Sequence, residues 1–295
     1  MPVSLAARLL FAARTAYLIP PPGGPALVPP PEYGLRNVAT CSGGRDDIDA
    51  ALIADADEGL VLAFRGTFPP NSPDHAQTVL DWLNDGDAIF VPGGDLPGRL
   101  HQGFRNTLND LWPLLQDPLV ARANAASRTT PIYVTGHSKG GAVAFLAAMR
   151  CRSVLIAAGL ANPVFVCTFA AARPGDQDFA NVFDAAIQHA VRYEYAEDIV
   201  PHVPPENALR LLLRKIPNLS GIREIEDGFV SPGDLHYLAR GSTPATPPEG
   251  DSPLLALQRI ARIVECAAKF DFRTIVDDHS IGLQSGYATA ITGGT

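Results

Sequence analysis

The sequence predicts an α/β fold with a mostly parallel central sheet flanked by helices. Four short apolar runs are rich in β-branched and aromatic residues, and glycine, proline or charged residues bound each one, as is typical of buried strands. An alanine- and leucine-rich segment at 140–158 separates the second run from the third and supplies the helix that a parallel crossover needs. The four runs are Leu60–Phe64, Pro131–Thr135, Val164–Phe169 and Ala190–Tyr195.

Helices are also predicted near both ends of the chain. The first 19 residues form an apolar stretch that Arg8 and Arg14 interrupt, which predicts an amphipathic helix and not the unbroken apolar core of a secretory signal. On that basis we expect a cytoplasmic location. Further on, Ser252 followed by Pro253 is a typical helix start, and apolar residues recur at helical spacing up to about Phe270.

The uncharged stretch from Ser153 to Ala172 has the length of a membrane span. Gly159 and the pair Asn162-Pro163 interrupt it near its middle, and such residues end helices. We therefore interpret the stretch as a helix end followed by a buried strand, and we expect no transmembrane segment.

We expect a single domain covering residues 1–295, because one α/β domain can reach this length. The segment 204–250 departs from the regular alternation of strands and helices. It combines the apolar and basic stretch Leu209–Ile216 with glycine and proline breaks, and we interpret it as an excursion or cap between core elements.

Charge and cysteine usage exclude several classes of function. The formal net charge of −8 repels phosphate backbones, so nucleic acid is not an expected partner. The four cysteines, including Cys167 and Cys266 in apolar settings, form no CxxC pair, which argues against a zinc knuckle or a thioredoxin-like redox site. Neither an HExxH motif nor a phosphate loop is present, and we expect no metal or cofactor.

The segment Gly136-His137-Ser138-Lys139-Gly140 directly follows the second strand and directly precedes the small-residue helix. It is a GxSxG nucleophile elbow in the context that this motif requires, and it indicates an α/β-hydrolase fold. Glycine is needed on both sides of Ser138 because the sharp turn brings neighbouring backbone close. Ser138 also sits at a helix N-terminus, where the helix dipole favours developing negative charge.

A serine nucleophile needs a base and a group that orients the base, and in α/β-hydrolases an acid and then a histidine follow the serine along the chain. Asp198 is our candidate acid, because it follows the Ala190–Tyr195 strand at its carboxyl end. Asp176 and Asp178 are alternatives, but their position after Arg173-Pro174-Gly175 is explained by helix capping.

Four histidines follow the elbow. We prefer His279, in a loop after the last long helix, over His236, which lies in the irregular segment. His189 precedes its strand and is at the wrong end of the sheet, and His202 lies only four residues after the acid on a proline-bound turn.

An acyl-transfer site also needs donors for the oxyanion, usually the N–H after the nucleophile and one from a loop after an earlier strand. Lys139 provides the first N–H. Thr67, in the turn after the Leu60–Phe64 strand, is the candidate for the second, with its N–H and its hydroxyl.

With these residues in place, the chain resembles the class 3 lipases, a family that includes secreted fungal triacylglycerol lipases with an α/β-hydrolase fold. The resemblance covers most of the chain and rests on the elbow together with a set of shorter matches. These are Ala16-Tyr17, Phe64-Arg65-Gly66-Thr67, Asp81-Trp82-Leu83-Asn84-Asp85, His101-Gln102-Gly103-Phe104, Gly141-Ala142, Thr168-Phe169-Ala170, Arg173-Pro174-Gly175, Asp198-Ile199-Val200-Pro201, His279 and Tyr287.

The resemblance implies Ser138 as nucleophile, Asp198 as acid, His279 as base, and Thr67 with Lys139 as the oxyanion hole. It implies a lipase acting on acylglycerols, with a phospholipase A1, a feruloyl-type carboxylesterase or a non-catalytic lipid- or protein-binding homologue as alternatives. Trp82 and Asp85 resemble the residues that support the oxyanion loop.

Two features depart from the family pattern. Lys139 stands where the family commonly has leucine, and we expect it to place a cation at the rim of the site. The 13 residues from Phe68 to Leu80 leave little room for a helical lid, so the excursion at 204–250 is the alternative cover. Within it, Leu209–Ile216 could contact a lipid surface, although a packed helix is the commoner fate of such a stretch.

Overall fold

The computed structural model describes residues 3–45, 48–67, 89–204, 228–269, 274 and 277–293. Seven of its strands form one sheet in the order β1-β2-β3-β6-β7-β8-β9, and β4 pairs with β5. The strands are β1 Arg36–Gly43, β2 Asp49–Asp55, β3 Leu60–Phe64, β4 Phe90–Pro92, β5 Arg99–His101, β6 Ile132–His137, β7 Val164–Phe169, β8 Ala190–Tyr195 and β9 Asp234–Leu238. The helices are α1 Leu5–Tyr17, α2 Gln102–Ala125, α3 Lys139–Ala157, α4 Gln177–Ala186, α5 Pro253–Ala268 and α6 Gly286–Thr292.

The predicted fold class is confirmed. Strands β3, β6, β7, β8 and β9 run parallel, and β1 and β2 extend the sheet in antiparallel fashion at one edge. The carboxyl ends of the parallel strands therefore meet at one edge of the sheet, where ligand sites of open α/β folds lie. Strands β3, β7 and β8 have the predicted bounds, and β6 reaches into the elbow itself.

Two hydrophobic layers hold the sheet. Helices α1 and α6 pack on one face, together with the apolar residues that β2, β3 and β7 direct there. Helices α2, α3, α4 and α5 contribute to the larger core on the other face. This arrangement fixes both ends of β6, and hence the elbow, inside packed protein.

Helix α3 is the one described helix that is long and apolar enough to cross a membrane by length and composition. In the structure, 72% of its apolar window is buried, and it packs against strands β3, β6 and β7 and against α2. Its composition is that of a core helix and does not indicate a membrane span. The uncharged stretch that follows divides as expected, into the end of α3 and the strand β7.

The first helix is more enclosed than an amphipathic pattern predicts. Most of α1 is buried, including Arg8, whose Nε lies 2.6 Å from a carboxylate oxygen of Glu58. Pairing with a carboxylate lets a charged side chain enter the protein without an uncompensated charge.

Among the elements that were not expected from the sequence are β1, β2, α2 and β9. Strands β1 and β2 pair locally, and α2 runs through Pro113 and Pro118, which normally argue against a helix. Strand β9 lies within the segment 204–250 that we interpreted as an excursion, and it places His236 in the sheet. The stretches Phe68–Leu80 and Leu209–Ile216 lie outside the described residues, as do Trp82 and Asp85.

Cys41, Cys151 and Cys167 are free thiols. Burial raises the pKa of the Cys151 thiol to about 12, so this sulfur stays protonated at neutral pH.

Candidate active site

Strand β6 and helix α3 position the serine of the elbow. Ser138 connects them with φ 60° and ψ −131°, a backbone conformation that non-glycine residues rarely adopt. A Cβ on Gly136 would overlap the carbonyl of Gly140, and a Cβ on Gly140 would overlap the carbonyl of Phe64. Glycines on both sides thus allow the strained turn that lifts the serine hydroxyl to the edge of the sheet.

The structure brings Ser138, His279 and Asp198 together from three distant parts of the chain. His279 Nε2 lies 2.9 Å from Ser138 Oγ, and His279 Nδ1 lies 3.1 Å from each carboxylate oxygen of Asp198. A carboxylate only accepts hydrogen bonds, so Nδ1 carries the proton and the lone pair of Nε2 faces the serine hydroxyl. This tautomer is the one that a general base needs.

Asp198 is fully buried and every oxygen of its carboxylate is hydrogen-bonded. Besides His279, Oδ1 accepts the Val200 N–H at 2.9 Å and Oδ2 accepts the hydroxyl of Tyr287 at 2.9 Å. The same Tyr287 oxygen accepts the N–H of Tyr195 at 2.9 Å. Burial, followed by the nearby charge of Asp198, raises the pKa of Tyr287 well above its usual range, so the phenol is a donor. These bonds fix the orientation of the acid.

The alternative acids and bases lie elsewhere. Asp176 caps helix α4 by accepting the N–H of Phe179 at 3.0 Å. His236, on β9, packs edge-on against Tyr193 of β8. His189, just before β8, packs in the same way against Phe165 of β7. His202 is buried, and its surroundings lower its pKa, first through burial and then through the charge of Arg259.

One proposed oxyanion donor lies in the elbow, and the other lies in the turn after β3. Lys139 is the first residue of α3, and Thr67 follows directly on Gly66 at the end of the turn after β3. That turn touches the elbow, since a Cβ on Gly66 would lie 2.9 Å from the carbonyl oxygen of His137. Thr67 is exposed, at the edge where the serine hydroxyl also emerges.

The side chain of Lys139 corrects one expectation. Its Nζ lies 2.6 Å from Oδ1 of Asp49 on β2, and both side chains are largely buried. The lysine therefore forms an internal ion pair and does not present an unpaired cation at the rim. Its backbone N–H is unaffected by this contact.

A second group of residues holds the loop that carries His279. The carboxylate of Asp278 accepts the N–H of Glu197 at 3.1 Å and a bond from Arg240 Nη2 at 2.5 Å, which ties this loop to the loop of Asp198. The sequence offered no pattern that identified this contact, because it joins side chains far apart along the chain.

Among the described residues, no group of three or more His, Cys, Asp or Glu side chains is placed to hold a metal ion. The arrangement that is present can perform nucleophilic acyl transfer with side chains and backbone amides alone.

Comparison with known proteins identifies the family of this chain. The sequence profile of the family described as lipase (class 3) matches residues 61–208, half of the chain. A lipase of Caenorhabditis elegans is 29% identical over 157 residues, covering 52% of this chain and 40% of the relative. Phospholipase A1-II 4 of Oryza sativa is 31% identical over 178 residues, covering 53% of this chain and 43% of the relative.

The fold is also shared with solved structures. The triacylglyceride lipase of Rhizomucor miehei superposes with a TM-score of 0.58 at 22% identity, covering 79% of this chain and 77% of that one. The chain spans only about two fifths of the length of the curated relatives that it matches.

Proposed function

Because this chain belongs to the class 3 lipase family, we propose that it is a serine hydrolase that cleaves the carboxylic esters of acylglycerols. The observation that carries the proposal is the 2.9 Å contact between Ser138 Oγ and His279 Nε2, with Asp198 behind the imidazole. Nucleophile, base and orienting acid then stand in the chain order and geometry that this chemistry needs.

In the proposed reaction, His279 Nε2 takes the proton of the Ser138 hydroxyl as Oγ attacks the ester carbonyl. Asp198 stabilises the imidazolium that forms. Its own hydrogen bonds fix the carboxylate, which in turn keeps the His279 ring oriented towards Ser138. The N–H groups of Lys139 and Thr67 would hold the oxyanion. The imidazolium then protonates the departing alcohol, and water repeats the cycle on the acyl-enzyme.

Replacement of the nucleophile tests the proposal. Ser138→Ala should lower the release of nitrophenol from short-chain esters by on the order of 10⁴-fold or more while thermal unfolding stays cooperative. Ser153→Ala is the matched control, because its hydroxyl lies on the same helix and bonds only the Met149 carbonyl in the described structure. Unchanged turnover by Ser138→Ala would refute the assignment.

Labelling with a fluorophosphonate separates an enzyme from a non-catalytic homologue. The probe reacts only with a serine whose base is in place, so the wild-type chain and Ser153→Ala should be labelled at Ser138. An unlabelled wild-type protein that is folded would favour a binding function on the same scaffold.

Phospholipid is the second candidate substrate, favoured by the similarity to the rice phospholipase A1. The fold does not fix the substrate. Hydrolysis of triolein, phosphatidylcholine and a feruloyl ester should be compared under the same conditions. A chain-length series of nitrophenyl esters, with and without an emulsified interface, tests whether hydrolysis depends on a lipid surface.

A further inference from the structure

The residue between the glycine and the serine of the elbow contacts the backbone of the proposed base. His137 Nε2 lies 2.8 Å from the carbonyl oxygen of His279, and His137 Nδ1 lies 2.8 Å from the hydroxyl of Tyr17. The rings of His137 and His279 are 4.6 Å apart at an angle of 32°. His137 is 1% exposed, so it contributes nothing to the surface that meets substrate.

The chemistry of these partners fixes the direction of each bond. A carbonyl oxygen only accepts, so His137 Nε2 donates its N–H to His279. In the neutral imidazole, Nδ1 then carries a lone pair and the Tyr17 hydroxyl donates to it. Burial raises the pKa of Tyr17 above its usual range, and its phenol stays protonated and able to donate.

Tyr17 also contacts the turn that carries the oxyanion donors. Its hydroxyl oxygen accepts the backbone N–H of Gly66, and a Cβ on Gly66 would overlap this oxygen. One phenol at the end of α1 therefore lies between the oxyanion turn and the histidine that holds the base. The Tyr17 contacts come from a helix far from the elbow in sequence, which gives the site a support outside the triad.

We propose that Tyr17 and His137 are positioning residues that set the placement of the base His279 and of the oxyanion turn relative to Ser138. This inference rests on the proposed function. The base loop is then held on two sides, by His137 through the backbone of His279 and by Glu197 and Arg240 through Asp278. Misplacement of a catalytic group by about 1 Å can cost on the order of 10²-fold in rate, so small changes in these contacts should be measurable.

Two substitutions of His137 provide the test. His137→Leu removes the donor to His279, and we expect kcat on a short nitrophenyl ester to fall 10- to 100-fold with KM changed less than twofold. His137→Gln keeps an amide N–H that can donate to the same carbonyl, and it should recover most of the loss. The rate of fluorophosphonate labelling at Ser138 should follow kcat.

Tyr17→Phe is the milder variant and keeps the proposal testable where His137→Leu folds poorly. It should lower kcat several-fold without a change in KM. Tyr33→Phe is its matched control, because Tyr33 is a buried tyrosine that stacks on Phe11 of the same helix at a centroid distance of 4.2 Å. We expect that control to retain wild-type kcat.

The outcomes separate the two proposals. If the wild-type protein neither hydrolyses esters nor reacts with the fluorophosphonate, the proposed function fails. If the wild type is active and folded His137→Leu and Tyr17→Phe match its kcat within twofold, the positioning proposal alone is overturned. Equal losses in His137→Leu and His137→Gln would overturn it too, since they would show that the N–H donor is irrelevant.

Discussion

Lys139 Nζ lies 2.6 Å from Oδ1 of Asp49, and this ion pair joins the residue after the proposed nucleophile to strand β2. Only 15% of the lysine side chain and 8% of the aspartate side chain are exposed. The start of α3 is thus tied to the sheet by a charge pair as well as by close backbone packing.

Lys139→Leu should destabilise the fold by about 3–5 kcal/mol, because it leaves the Asp49 carboxylate buried without a partner. The double variant Lys139→Leu with Asp49→Asn should recover much of this loss. Urea unfolding measures the free energy of unfolding of the single and the double variant. Lys269→Ala, which opens an exposed pair with Glu265, should leave stability nearly unchanged. A single variant as stable as the double variant would contradict the prediction.

Tyr287→Phe should lower kcat roughly tenfold and stability by about 1–3 kcal/mol, since Asp198 loses a donor and the N–H of Tyr195 loses its acceptor. Ester hydrolysis and chemical denaturation check these effects. The control is Tyr237→Phe, because the buried hydroxyl of Tyr237 has no hydrogen-bond partner among the described residues. Equal effects of the two substitutions would show that the contact with Asp198 is unimportant.

Gly136→Ala should destabilise the protein by more than about 3 kcal/mol, the upper end of ordinary overpacking, because its Cβ would meet rigid backbone. The added atom would overlap the carbonyl of Gly140 and lie 2.8 Å from the nitrogen of Gly141. Gly250→Ala is the control, since a Cβ there has nothing within 4 Å. Thermal unfolding of both proteins gives the comparison, and similar melting temperatures would argue against a tight elbow.

The lowered pKa of His101 predicts that the protein loses stability in acid. Burial, and after it the charge of Lys139, lower the pKa of His101 to about 4, whereas the unfolded chain has the ordinary value of about 6.5. The stabilising contribution of this group is therefore complete above pH 6.5 and disappears as the pH falls towards 4.

Substitution of His101 by asparagine isolates that effect. The side chain of His101 accepts the N–H of Gly103 at the start of α2, and asparagine can keep such a bond without titrating. Between pH 7.5 and 4 the wild type should lose up to roughly 3 kcal/mol more unfolding free energy than His101→Asn. If the unfolding free energies of the two proteins fall in parallel between pH 7.5 and 4, the titration of His101 is not a cause of the loss of stability in acid.

Local sequence determined much of the fold. Strands β3, β7 and β8 have the predicted bounds because each is a short apolar run with clear breaks at both ends. The elbow was recognisable because the strained turn at Ser138 demands glycine at fixed spacing. Helix α2 was not predicted because Pro113 and Pro118 lower the local helix propensity. In the folded protein, burial of its apolar residues in the core compensates for that loss.

The chain itself determined which residue types could perform acyl transfer and in what order they occur. Only the tertiary structure decided which histidine reaches Ser138, that Lys139 pairs with Asp49, and that His137 holds the backbone of His279. The reason is physical. A hydrogen bond depends on a separation of about 3 Å in space, and the partners of this site are brought to that distance by the packing of the sheet and its helices, whatever their separation along the chain.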